Sequence, residues 1–406
     1  MSAEYDAIVV GARCAGAPTA MLLARLGHRV LVVDRARFPS DTVSTHWIHQ
    51  PGVARLRDWG LLDRVVATGC PPGPTLTIDF GPFVISGRPR PADGVGVAYA
   101  PRRTVLDEIL VRAAAGAGAE VRQEFAVREL LTDDGVVTGI RGQTRGGQTV
   151  TERARIVIGA DGLHSVVARL VGAPRYRDRG VLAALYYAYW SGVPVAGFEA
   201  WDRGRRMVAC LPTNDDLTLV LAVSPRSEFE VIRHDVEPAF LAALDEAPAL
   251  ADRVGAGTRE SRFSGSGMVG NFFRLSHGPG WALVGDAGLC KDPITGQGIS
   301  DAFDDAASIA PPVADGLSGA RSLDASLAAY ETQRNRKRQG MFDFTCQLAT
   351  RDQPPPPDLQ RLLAAVSRSQ EAMDEFASVI AGTEPVERFL ASDHVAELVA
   401  EPARAS

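Results

Sequence analysis

Residues 5–34 read YDAIVVGARCAGAPTAMLLARLGHRVLVVD, and the fold turns on them. YDAIVV (5–10) is a short apolar run, the pattern of a parallel strand buried on both faces. GARCAG (11–16) follows as a turn. PTAMLLARLG (18–27) carries a helical pattern and stops at Gly27. HRVLVVD (28–34) is a second buried strand that ends on an acid. Strand, glycine turn, helix and strand make one βαβ unit. GARCAG departs by one residue from the dinucleotide-binding pattern GxGxxG, because Arg13 replaces the middle glycine. The glycines of that pattern make the tight turn, let backbone approach a pyrophosphate, and let helix and strand pack closely. Gly11 and Gly16 keep the first and third roles. Arg13 obstructs the second by its bulk, yet a guanidinium is itself a bidentate phosphate ligand. The turn still aims free N–H groups and the positive helix end at an anion. Asp34 stands about twenty residues on, where a ribose diol would sit. A plain βα turn is the alternative reading. Cys14 reads as a small buried residue rather than a reactive thiol.

Bulk properties narrow the class. The chain has 406 residues, 46% apolar and 23% charged, with a formal charge of −6, which suits a globular protein and not a nucleic-acid binder. The cluster Arg334, Arg336, Lys337 and Arg338 reads as a solvated helix face. Five cysteines at 14, 70, 210, 290 and 346, with no CxxC, argue against a disulfide framework or a metal site and for a reducing cytoplasm. Glu4 and Asp6 stand where a signal peptide would carry basic residues. GVLAALYYAYWSGVPVAGF (180–198) is uncharged and near membrane-span length. Ser191-Gly192-Val193-Pro194 interrupts it, so two buried strands joined by a turn are expected instead of a span.

Beyond the βαβ unit, 101–118 reads as a helix and 119–130 as a strand. A hairpin follows that turns at Asp134-Gly135. ARIVIGADG (154–162) is another strand and turn. RRMVACLP (205–212) and LTLVLAVSP (217–225), separated by Thr213-Asn214-Asp215-Asp216, alternate like antiparallel strands. A helical insertion is expected at 228–250. WALVGDAG (281–288) returns to a buried strand and turn. Residues 298–310 and 322–350 are helical, RDQPPPP (351–357) is a linker, and a helical tail follows.

Two further segments join GARCAG in order. GADGLHSVVARLVG (159–172) and WALVGDAGLCKDPITGQGISDAF (281–303) are similar to the Asp-Gly and Gly-Asp segments of the flavoprotein aromatic hydroxylases. Over roughly 5–340 the chain resembles the class A flavoprotein monooxygenase superfamily, which includes geranylgeranyl reductase-like enzymes and flavin halogenases. The resemblance implies an α/β fold: a discontinuous Rossmann-like FAD-binding domain (1–75, 101–174 and 276–350), with an inserted antiparallel β-sheet substrate domain (76–100 and 175–275) and a helical C-terminal segment (351–406).

It also implies roles. Gly11, Ala12, Arg13, Cys14, Ala15 and Gly16 would hold the FAD pyrophosphate. Asp34 would bind the adenosine ribose, with Arg35 beside it. Arg103 would reach the phosphate and ribitol region, the Val127 backbone would meet adenine, and Asp286 would bond the ribitol. Asp161 would support FAD and a transient pyridine nucleotide, although turn-making explains it as well. Pro293, Gly296, Gln297, Gly298 and Ile299 would face the flavin ring. Their glycine-rich helix start offers N–H donors to the charge that gathers near N1 and the C2 carbonyl on reduction. Thr45 is counted with the cofactor contacts.

In the hydroxylase reading NADPH or NADH, docking transiently for want of a second Rossmann domain, reduces FAD. Oxygen then yields a flavin C4a-hydroperoxide that hydroxylates an aromatic or polycyclic small molecule. FPSDTVSTH (38–46) is faintly similar to a stretch of the geranylgeranyl reductases, which keeps a reductase or dehydrogenase open. A flavin-binding protein without catalysis is the third reading. The halogenase reading is weaker, since no WxWxIP segment is present and lysine occurs only at 291 and 337. Alternation places Tyr187 and Tyr189 on one sheet face and Tyr186 and Trp190 on the other. Tyr187, Tyr189 and Trp201 are substrate-site candidates, with core packing as their alternative. His46 is the acid–base or orienting candidate. The expected partners are a small-molecule substrate and oxygen, with no nucleic acid, membrane or metal, in a monomer or homodimer.

Overall fold

The computed structural model describes residues 5–352 and 356–400. Its central sheet runs in the order 277–278, 281–283, 149–159, 5–10, 30–33 and 120–122. Every junction from 281–283 across to 120–122 is parallel. Both faces are covered, which is why these strands are apolar without alternation. Helices Gly16–Arg25, Arg103–Gly116 and Gly298–Ser318 cover one face, with Met21, Leu106, Leu110 and Phe303 in that core. The hairpin Phe125–Asp133 and Val136–Thr144 covers the other, meeting Ile8 and Leu31 through Val137 and Ile140. Asp134 (φ 46°) and Gly135 (φ 81°) make its turn, both left-handed as a tight type I′ reversal demands. The single strand expected over 119–130 is two. Glu120–Arg122 ends the parallel sheet, and Glu124 at φ 56° redirects the chain into the hairpin.

A second sheet has the order 258–259, 183–191, 218–225, 207–212, 198–202, 76–79 and 84–87. It is antiparallel except where 198–202 runs parallel to 76–79. That strand arrives from a distant part of the chain, so no hairpin fixes its direction. The uncharged 180–198 stretch supplies strand Ala183–Ser191 and enters Phe198–Asp202, with two other strands between them in the sheet. Helices Val236–Leu244 and Pro248–Ala256 seal one sheet face through Phe240, Leu244 and Leu250. Among the described residues no helix is long and apolar enough to cross a membrane.

Two helix expectations need correction. Helix Gly298–Ser318 continues through Pro311 and Pro312 rather than ending at 310. Each interior proline disfavours a helix by about 3 kcal/mol. Val313 and Leu317 are buried beyond them, so tertiary packing carries the last turns. The basic cluster is also not a uniform solvated face. Arg334 and Arg338, one turn apart on helix Leu323–Ala349, face inward while Arg336 and Lys337 are exposed. Arg338 meets Asp301, Asp304 and Asp305 at 2.6, 2.9 and 3.6 Å.

The C-terminal helices Pro357–Val366 and Gln370–Ala381 are packed, not pendant. Phe376 and Leu363 share a core with Leu76 and Ile85 of the second sheet and Phe344 of the long helix. A Cβ on Gly87 would lie 2.2 Å from the Met373 carbonyl oxygen. Part of the expected proline linker, 353–355, lies outside the described residues. Pro357 already stands in the first turn of its helix, where a missing N–H is harmless.

Candidate active site

The glycine turn is forced at both ends. Gly11 has φ +102°, and a Cβ there would lie 2.5 Å from the Ala160 carbonyl oxygen. A Cβ on Gly16 would lie 1.7 Å from the Gly11 oxygen. Asp34 ties the turn to the second strand, accepting from Ala12 N–H and Ala36 N–H, both at 2.7 Å. Among the described residues the N–H groups of Arg13, Cys14 and Ala15 find no acceptor. Such unpaired donors before a helix fit a pyrophosphate.

The Arg13 guanidinium is committed elsewhere. It bonds the Asp107 carboxylate, the Ser40 hydroxyl at 2.9 Å and the carbonyls of Ser40 and Asp41 at 3.2 Å, and lies over the Phe38 ring. Asp107 is fully buried and also accepts from Arg103 Nε at 3.1 Å and Nη2 at 3.0 Å. The Cys14 thiol lies 3.5 Å from the same carboxylate, and burial pushes its pKa up to about 12, so it stays protonated at neutral pH. Asp107 is thus a hub that the sequence reading did not single out. Its only signal was spacing: one helical turn after Arg103.

The other expected cofactor residues surround this cradle. Phe125 N–H bonds the Asp34 carbonyl at 2.8 Å, which brings the Val127 strand beside the acid. Arg35 is exposed next to it. Asp161 caps the short helix Val166–Leu170, accepting from Ser165 Oγ at 2.5 Å and Val166 N–H at 2.6 Å, so its turn-making role is visible. Asp286 lies in a recess that solvent reaches although protein surrounds it. Lost hydration there and the nearby Asp301 push its carboxyl up to about 6, against the pull of Arg103 and Lys291. Pro293–Thr295 form a short 3-10 turn, Gly296 is left-handed at φ 65°, and Gly298 opens the long helix with Ile299 buried behind it. Among the described residues no acceptor takes the N–H groups of Gln297 and Gly298. The Gln297 side chain instead holds the Ile380 carbonyl of the C-terminal segment. Lys291 is paired with Asp301.

Beside this loop lies a cavity with about 830 Å³ of atom-free space, mouth included. Ile294, Thr295 and Gly296 form one end, with Thr45, Trp47 and His49 next to them. Leu185, Leu221 and Val223 of the second sheet form one wall, and Phe344, Phe376 and Ile380 the other. The loop and both the sheet and the C-terminal helices therefore meet on one space.

Four expected residues fall elsewhere. Trp201 is on the far sheet face, packed with Val208 and Cys210 beneath the 236–256 helices and under Arg253. Its neighbours Ala200 and Asp202 point the other way because strand side chains alternate. Tyr187 and Tyr189 share the cavity-side face with Leu185, but they engage His46 rather than line the space. His46 is fully buried at φ 64°, outside the cavity wall. Its Nδ1–H donates to the Ser44 carbonyl at 2.7 Å and its Nε2 accepts from the Tyr189 hydroxyl at 2.7 Å. Burial and the positive charge of Arg103 pull its pKa down to about 3, so it holds the segment in place as a neutral ring.

The histidine that reaches the loop is His49. Its Nε2–H donates to the Thr295 carbonyl at 2.9 Å and its Nδ1 accepts from Trp47 Nε1–H at 3.2 Å. Its signal in the sequence was alternation with Trp47 just before helix Gln50–Asp58. Burial lowers its pKa to about 4. The folded protein therefore refuses a proton that the unfolded chain takes up near pH 6.5. Stability from this ring is full above that value and is lost as pH falls from 6.5 toward 4. Unfolding in urea should show His49→Gln losing about 2 kcal/mol less than the parent between pH 7.5 and 5. Buried acids with raised pKa values titrate in the same window with opposite sign, but they are common to both proteins and cancel. Equal losses would disprove the assignment.

An anion cradle on a parallel sheet, joined to an apolar cavity through a glycine-rich helix start, defines an FAD-dependent oxidoreductase. The chain belongs to the FAD binding domain family, whose model matches residues 4–345, within the class A monooxygenase and geranylgeranyl reductase-like superfamily. It is similar to the digeranylgeranylglycerophospholipid reductase of Methanocella arvoryzae, 29% identical over 325 residues that cover 75% of this chain and 76% of the relative. It is also similar to the 6-methylpretetramide 4-monooxygenase of Streptomyces rimosus, 27% identical over 356 residues and 84% of each chain. The solved flavoprotein/dehydrogenase from Cytophaga hutchinsonii shares the fold, with a TM-score of 0.83, 19% identity and coverage of 97% of this chain and 98% of that one.

Proposed function

We propose that this protein is an NAD(P)H-dependent monooxygenase that hydroxylates an aromatic or polycyclic small molecule. The observation that carries the reading is the cavity: apolar, partly aromatic and bounded by the loop expected to face the flavin ring. When bound, FAD supplies the hydride-accepting and oxygen-activating chemistry. The chain's own residues bind and orient it. The N–H groups of Arg13, Cys14 and Ala15 take the pyrophosphate. Asp34, with Arg35 beside it, and the Val127 strand take the adenosine end. Asp286 takes a ribitol hydroxyl, with Arg103 nearby. Gln297 and Gly298 donate N–H bonds to the flavin C2 oxygen region, where preorganised donors favour the charge of reduction. His49 fixes that loop by holding Thr295, and the apolar walls exclude water. Asp161 acts by capping its helix behind the cofactor.

The reductase reading is favoured by the similarity to the archaeal reductase, and the same apolar walls suit an isoprenoid chain. Anaerobic mixing of the holoprotein with NADPH or NADH separates the two. Loss of the visible flavin band, accelerated by a polycyclic phenol, followed on aeration by a product heavier by one oxygen atom, supports the monooxygenase. Bleaching with reduction of a polyprenyl alkene in the absence of oxygen transfers the assignment to the reductase. No bleaching by either nicotinamide overturns both.

A further inference from the structure

The cavity wall carries one buried ion pair. Asp202 ends strand Phe198–Asp202, and Arg351 stands two residues past helix Leu323–Ala349. Both line the cavity. Arg351 Nη1 lies 2.6 Å from Asp202 Oδ1 and 3.0 Å from the Gly204 carbonyl oxygen. Among the described residues its Nη2 has only the Met207 sulfur, at 3.9 Å, and its Nε has no hydrogen-bond partner. The side chain is 4% exposed. A guanidinium has five donors in a fixed fork, and leaving them unmet in a dry site is unfavourable. Asp202 and the Gly204 carbonyl both bond Nη1. The edge made by Nε–H and an Nη2–H is the geometry that grips two oxygens of one acidic group.

We propose that Arg351 anchors the substrate, and that the substrate is a flat apolar body bearing a carboxylate, or an ionised hydroxyl beside a carbonyl, that meets this free edge. The proposal rests on reading the cavity as the substrate site. It makes Arg351 a specificity residue supplied by chain beyond the matched family region, which ends at 345. Asp202 holds the guanidinium in place and tempers its charge.

The test uses holoprotein and a pair of shape-matched probes, 2-naphthoate and 2-naphthylmethanol, with binding read by calorimetry and by perturbation of the flavin spectrum. The parent should prefer the acid by about tenfold or more, the size of a charge-assisted bidentate contact. Arg351→Gln should shrink that preference to about threefold or less while leaving the alcohol unchanged, and Arg351→Lys should retain part of it. Asp202→Asn should keep or strengthen it, which a merely structural pair would not do. If Arg351→Gln fails to fold because Asp202 is stranded, the double variant Arg351→Gln/Asp202→Asn carries the same expectation. An unchanged preference without Arg351, or no binding of 2-naphthoate by the parent at millimolar concentration, overturns the proposal. Arg351-dependent binding without nicotinamide-dependent bleaching would instead sink the oxidoreductase reaction proposed above and leave this anchor standing.

Discussion

Gly16→Ala should purify without flavin. The added Cβ would meet the Gly11 carbonyl oxygen at 1.7 Å, and that oxygen belongs to backbone pinned between two strands. Neither side is a flexible side-chain end, so helix Gly16–Arg25 must move off the sheet. The N–H groups of Arg13, Cys14 and Ala15 move with it, and these are the donors that no group among the described residues occupies. Overpacking of this kind costs about 1–3 kcal/mol or more. A loss of about 3 kcal/mol in cofactor binding weakens it roughly a hundredfold. The flavin-to-protein ratio after gel filtration measures this directly. Cys14→Ala, which gives up only a distant thiol contact with Asp107, should keep its colour. Full flavin in Gly16→Ala would refute the cradle.

Asp107→Leu should destabilise the protein by about 3–5 kcal/mol, because removing one member of a buried charged set leaves the others uncompensated. The carboxylate is shared by Arg103 and Arg13, so two guanidiniums lose their partner at once. Arg13→Gly, which restores the three-glycine pattern, should be much milder. Arg103 still holds Asp107 through its Nε and Nη2, and the free N–H groups of the turn remain. Denaturant midpoints of the three proteins decide the order. If Arg13→Gly were the more damaging change, the hub would be Arg13 and its bonds to 38–41, not Asp107.

These two predictions also mark how far the sequence could be read. Gly11 and Gly16 were legible because their constraint is local: turn, strand and helix are neighbours in the chain. The Asp134-Gly135 hairpin was legible for the same reason. The partner of Arg13 was not, since Asp107 is 94 residues away and no local pattern links the two. His46 and His49 were equally suggestive as residue types. Only packing showed that His46 is locked against Ser44 and Tyr189 while His49 reaches Thr295. Strand alternation separated Tyr187 from Tyr186 correctly, but it carries no sign. Which face meets helices and which meets the cavity depends on the 236–256 insertion, and that choice removed Trp201 from the site.

The sequence by itself determined the βαβ unit, the glycine cradle and the return of the chain to the same sheet at 154–162 and 281–288, while the flavoprotein class came from the resemblance of these segments to a known family. Those are properties of short segments, where burial period and backbone sterics act within a few residues. Tertiary structure alone decided that the C-terminal helices wall the cavity, that Arg334 and Arg338 turn inward, and that Arg351 pairs with Asp202 beside that cavity. Each depends on desolvating a charge or apolar face against a partner far along the chain. That partner is fixed by the packing of whole elements, not by any local pattern.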